Sequence, residues 1–111
     1  MRLILAAMIL LSSAALADAP RPSIYRGEYF YNFENAHFTR EGSQECWVVD
    51  GDLGKAELPS LDDSPPWGTA TVTLKGILGP RGHFGNLGAC KHVLKLIEIV
   101  EITNMKRREP R

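Results

Sequence analysis

The stretch IYRGEYFYNFE, residues 24–34, decides the fold. Tyr25, Gly27, Tyr29, Tyr31 and Phe33 occupy alternate positions, and Arg26, Glu28, Phe30, Asn32 and Glu34 fill the others. Period-two alternation carried by aromatics predicts a half-buried β-strand. Gly27 in its middle predicts a bend or bulge, as a tightly coiled sheet requires. Aromatics on one strand face build a core more often than a ligand groove, so Tyr25, Tyr29, Tyr31 and Phe33 are the expected interior. Phe30 breaks that parity and points to the opposite face.

Working outward, NAHFTREGSQ (35–44) reads as a polar connection turning at Gly42. ECWVVDG (45–51) predicts a second strand, with Trp47 and Val49 on one face and Cys46 and Val48 on the other. The stretch from Asp52 to Gly68 reads as a long loop, because Pro59, Pro65, Pro66 and the Asp62–Asp63 pair interrupt it. TATVTLKGILG (69–79) predicts a third strand, with Val72, Leu74 and Leu78 facing one way. Gly79, Gly82, Gly85 and Gly88 then recur through a tight irregular connection. HVLKLIEIVEI (92–102) is rich in β-branched residues and predicts a last strand. Lys95 and Glu101 share a parity that Glu98 does not, which calls for a bulge, a twist or an edge position. Residues 104–111 form a basic tail.

The fold class expected is all-β: a small OB-like barrel, closed or half-open, of four to five strands. A small β-sandwich is the alternative.

The N-terminus tells where this domain works. Arg2 precedes the apolar run Leu3–Leu11, and Ala15-Leu16-Ala17 matches a small-x-small cleavage site. Residues 1–17 are the expected signal peptide, residues 18–23 an extended lead-in, and residues 24–103 the β domain. The apolar run is short for a bilayer crossing, so no membrane span is expected after cleavage. Removing 17 of the 111 residues leaves 94. The 13 basic and 13 acidic residues become 12 and 13 once Arg2 departs. Phosphate binding needs a basic surplus, so nucleic acid is not the expected partner. A domain this small buries a modest core and depends on staples. Cys46 and Cys90 are the only cysteines, and in an exported chain they are the expected disulfide. Closing that loop stabilises the fold by about 2–4 kcal/mol.

Two motifs carry a resemblance. Gly27-x-Tyr29-x-x-x-Phe33-Glu34 followed by Trp47, and Leu74-x-Gly76-x-Leu78-Gly79-Pro80-x-Gly82-x-Phe84-Gly85-x-Leu87-Gly88 before a terminal strand, resemble a group of small secreted bacterial β-domain proteins. The resemblance implies a signal peptide and a compact β domain. It brings no catalytic residue.

Candidate chemistry is sparse. His37, His83 and His92 form none of the short spacings that bring metal ligands together on one element. The serines lack a nucleophile elbow. Asp50-Gly51-Asp52 begins like a calcium loop but lacks its closing Glu, and reads as a turn. No cofactor, metal or catalytic residue is expected. The expected function is a non-enzymatic binding or accessory module, periplasmic or secreted, that contacts a protein or envelope component. Phe30 and Trp67 are the expected contact, with the Leu53–Trp67 loop. The alternative is a small hydrolase or metal-dependent enzyme using His37, His83 or His92.

Overall fold

The computed structural model describes residues 20–61 and 63–108. The expected signal peptide, Asp18 and Ala19 of the expected lead-in, Asp62 of the long loop and the last three residues of the basic tail lie outside the described residues.

Five strands form a closed barrel in the order β1-β2-β3-β5-β4. They are β1 (Ser23–Tyr31), β2 (Ala36–Arg40), β3 (Cys46–Asp50), β4 (Gly68–Leu78) and β5 (His92–Arg107). All neighbours pair antiparallel except β3 and β5, which run parallel over Trp47↔His92 to Asp50↔Lys95. The all-β barrel of five strands is the expected fold, and its closure excludes the sandwich.

The interior follows the parity of β1. Tyr29 and Tyr31 are buried with Phe38, Trp47, Ala70, Val72, Leu74 and Leu94, while Tyr25, Val49, Leu78, Leu96, Ile99 and Ile102 pack against them. Phe33 departs from the expectation: β1 ends at Tyr31, and Phe33 is 62% exposed in the turn beyond. Asn32 builds that turn, its side-chain oxygen accepting from the Glu34 and Asn35 amides.

Two segments differ from their sequence reading. Residues 36–40, read as part of a polar connection, form β2. Only Phe38 turns inward there, and its ring covers Gly27, where any Cβ would also strike the Thr39 carbonyl. Gly27 thus serves close strand approach rather than a bulge, since its register is regular on both sides. The last strand also continues to Arg107, so residues 104–107 of the tail belong to the barrel.

The β3–β4 connection is ordered at its start. Leu53 and Ala56 are buried around a single 3-10 turn, Gly54–Ala56, and join the core. Two core tyrosines reach out of the barrel to hold the next two residues. Tyr29 Oη donates to Glu57 Oε2 at 2.6 Å, and the Leu58 amide donates to Tyr31 Oη at 2.9 Å. Burial first, and then the Glu57 carboxylate, push the Tyr29 phenol well above its ordinary pKa.

Cys46 and Cys90 form the expected disulfide, with Cα atoms 4.6 Å apart. The glycine-rich connection delivers Cys90 through an isolated bridge between Phe84 and Cys90.

Candidate functional site

Strand register assembles the site. Phe30 of β1 pairs with Thr69 of β4, Thr69 pairs with Lys106 of β5, and Phe30 pairs on its other side with His37 of β2. Their sequence neighbours Tyr31, Ala70 and Phe38 are buried, so this row belongs to the outer face of the barrel. The expectation that Phe30 leaves the core face is met.

One step beyond the row, the ends of β4 and β5 stay together. The Arg108 amide donates to the Trp67 carbonyl at 2.9 Å. The Arg108 guanidinium lies 3.9 Å from the centre of the Trp67 ring, within cation–π range. Gly68 permits this closeness, because a Cβ there would strike the Lys106 carbonyl and the Tyr31 hydroxyl. Phe30, Trp67, Gly68, Thr69, Lys106, Arg107 and Arg108 line a shallow hollow of about 270 Å³.

Phe30 and Trp67 therefore share one hollow. Trp67 is half-buried under Arg108 rather than standing free on a loop. The loop expected to share in the contact does so only at its Trp67 end. Leu53–Leu58 packs onto the barrel, and Arg107 Nε and Nη2 donate to the Pro59 carbonyl at 3.2 and 2.7 Å.

The hollow carries three consecutive cations. Among the described residues no carboxylate lies within ion-pair distance of Lys106, Arg107 or Arg108; the ion pairs are Arg26–Glu41, Arg26–Glu101 and Arg81–Glu45. The sequence singles out the two aromatics but leaves these cations in the basic tail of residues 104–111. The signal was present in the three adjacent basic residues. What the sequence did not show was that β5 reaches them.

The histidines do not gather. His92 Nδ1 donates to the Gly79 carbonyl at 2.8 Å, and His83 Nδ1 lies 3.5 Å from Lys91 Nζ. His37 packs its ring against Phe30, with centroids 5.1 Å apart, and burial lowers its pKa against a weaker opposing pull from Glu28. One of its ring nitrogens lies near the two disulfide sulfurs. The glycine-rich connection offers no free cation at Arg81, whose guanidinium makes two hydrogen bonds to Glu45 at 3.0 and 2.8 Å. That contact holds the Glu45 carboxyl below its ordinary pKa.

A larger groove of about 550 Å³ lies along β5, between Leu96–Ile102 and the Asp52 and Lys55 side chains. Its rim carries Asp52, Glu98 and Glu101 against Lys55 alone. The two concavities thus differ in charge.

No helix among the described residues is long and apolar enough to cross a membrane. Neither protein-family models, nor characterised proteins, nor solved structures give a match to this chain.

Proposed function

We propose that the chain is an exported, non-enzymatic binding module that uses the Phe30–Trp67 hollow to contact a protein or envelope component. The observation that carries this reading is the meeting of two aromatics, distant in sequence, with the Lys106-Arg107-Arg108 cations. Aromatic and arginine side chains give large contact area and directional polar contacts, and they dominate the energetics of interfaces. Beside them stand three cations that meet no carboxylate within ion-pair distance among the described residues, which favours a partner surface bearing carboxylate or phosphate groups. The hollow carries its cations as one short run, Lys106-Arg107-Arg108, while Glu98 and Glu101 line the groove along β5, which favours a compact acidic epitope over a nucleic-acid strand. The N-terminal signal pattern and the disulfide support a periplasmic or secreted location.

The test is site-specific photo-crosslinking from Thr69 in intact cells, combined with Phe30→Ala, Trp67→Ala and Lys106→Glu/Arg108→Glu variants. A single crosslinked partner should disappear in each variant while the melting temperature holds. An adduct unchanged in all three variants overturns the contact. Fractionation and N-terminal sequencing should place a chain beginning at Asp18 outside the cytoplasm.

A further inference from the structure

We propose that the dithiol form of this chain carries a metal site, in which Cys46 Sγ, Cys90 Sγ and a ring nitrogen of His37 bind a divalent cation of the Zn²⁺ class. These three ligand atoms lie within 4.8 Å of one another, and no other trio of His, Cys, Asp or Glu among the described residues does so. The site does not rest on the Phe30–Trp67 contact proposed above; the two share only Phe30, whose ring packs against His37.

Paired backbone holds all three residues in place. Thr39 pairs with Cys46 across β2 and β3, and His37 sits two residues before Thr39 on the same strand face. Cys90 is fixed by its bridge to Phe84, and the Lys91 amide donates to the Cys46 carbonyl at 2.9 Å. Phe30 covers one side of the imidazole. Two thiolates and one imidazole are a recognised zinc donor set that leaves the fourth position open. His37 and Cys46 are half-buried, which lets water take that position, whereas Cys90 is buried.

A phosphine reductant opens the route. It delivers two electrons to the disulfide and becomes the phosphine oxide with an oxygen from water, while the sulfurs become two thiols. The sulfurs then part to about 3.8 Å, the spacing set by tetrahedral geometry and a Zn–S bond of about 2.3 Å. Binding of Zn²⁺ releases the two thiol protons and forms two Zn–S bonds and one Zn–N bond. The oxidised chain has no thiolate to offer, so disulfide and metal exclude one another.

The test titrates the full-length purified chain with Co²⁺, before and after reduction by a phosphine under argon, and follows thiolate-to-cobalt absorption and far-UV circular dichroism. Zn²⁺ affinity is then measured by competition with a chromophoric chelator. The reduced chain should take up one equivalent of Co²⁺ with thiolate absorption, and the oxidised chain none. Cys46→Ser should abolish the absorption. His37→Ala should weaken Zn²⁺ binding by about tenfold or more. If reduction unfolds the chain, metal should restore the β-sheet signal. Absence of thiolate absorption in the reduced chain overturns the site, as does an affinity indifferent to His37, or a reduced unfolded chain that metal fails to refold.

Discussion

β4 and β5 are hydrogen-bonded to each other for most of their lengths, yet their side chains follow different rules. β4 alternates between buried and half-exposed from Gly68 to Ile77. β5 places Leu94, Leu96, Ile99 and Ile102 inward, at steps of two, three and three residues. The cause lies in their edges. β4 has β1 on one side from Gly68 to Gly76 and β5 on the other to Leu78, and its alternation holds over the doubly flanked part. β5 pairs with β3 from His92 to Lys95, has both partners only at Leu94 and Lys95, and continues with β4 alone. Along that free arm it runs three times out of register, near Ile97, Val100 and Asn104. Asn104 takes a positive φ of 57°, as bulged residues can. Ile97 and Val100, the extra residues at the first two shifts, are 49% and 50% exposed. Two flanking strands enforce a strict pleat, and one does not. The bulges also twist the arm and blunt an edge that would otherwise offer regular pairing to another chain.

The sharpest way to break this comparison is to delete one residue from each strand. Removal of Thr71 inverts the parity of half of β4 and sends its apolar residues to solvent. Removal of Val100 deletes a bulge and leaves Ile99 and Ile102 facing inward. The Thr71 deletion should abolish the folded state, measured as soluble yield and sheet signal, and the Val100 deletion should fold. If both deletions fold equally well, the two-partner explanation is wrong.

Truncations give the next effect. Leu74→Ala, at a fully buried β4 position, should cost about 2–5 kcal/mol in urea unfolding of the oxidised chain. Val100→Ala should stay within about 0.5 kcal/mol. A similar loss at both sites would mean that the free arm is packed after all.

Tyr29→Phe sharpens the account of the connection beside that arm. It leaves the Glu57 carboxylate without its phenol donor and frees the residues bordering the β5 groove. The expected loss is about 1–3 kcal/mol. Amide exchange should quicken at Ala56–Leu58 and remain unchanged in β4.

The smallest effect concerns the doubly paired root of β5, where His37 stands near the disulfide. Its pKa in the folded chain lies below the ordinary 6.5, chiefly through burial. The unfolded chain therefore binds the proton more tightly, and stability must rise with pH in this range. The neutral form's contribution is present above 6.5 and is lost as pH falls through 6.5 and then through the lowered folded value. Melting temperatures of the parent and of His37→Gln, compared on either side of that range, should show a steeper acid decline in the parent. Parallel curves would remove His37 as the cause.

Legibility in the sequence divides along the same line. β1, β3 and β4 present alternating apolar residues to the interior, and their pattern was readable. β2 was hidden because only Phe38 of its five residues is buried, and pairing with β1 and β3 holds the rest. The parity conflict among Lys95, Glu98 and Glu101 announced an irregularity in β5, although not its threefold repetition. The disulfide was readable from a count of two in a chain bearing a signal pattern. In the hollow, Phe30 and Trp67 were readable as aromatics out of step with the core. Lys106 and Arg108 were not, since their placement depends on register between β4 and β5. The tyrosine contacts to Glu57 and Leu58 likewise join residues nearly thirty positions apart, a distance no local pattern spans.

The parallel pairing of β3 with β5 also bears on how fast the barrel forms. Every other junction except β4–β1 joins strands that follow one another in the chain. This one must bring together residues some 44 positions apart, and the entropy of closing a loop of that length slows such a step. The disulfide sits immediately before Trp47↔His92, the first pair of that junction. Once it has formed, the two strands are held at their starting ends, and their pairing becomes a short-range zipper. In the reduced chain the same pairing is a long-range search. The oxidation state of two sulfurs thus decides whether one of the barrel's two long-range junctions closes as a search or as a zipper.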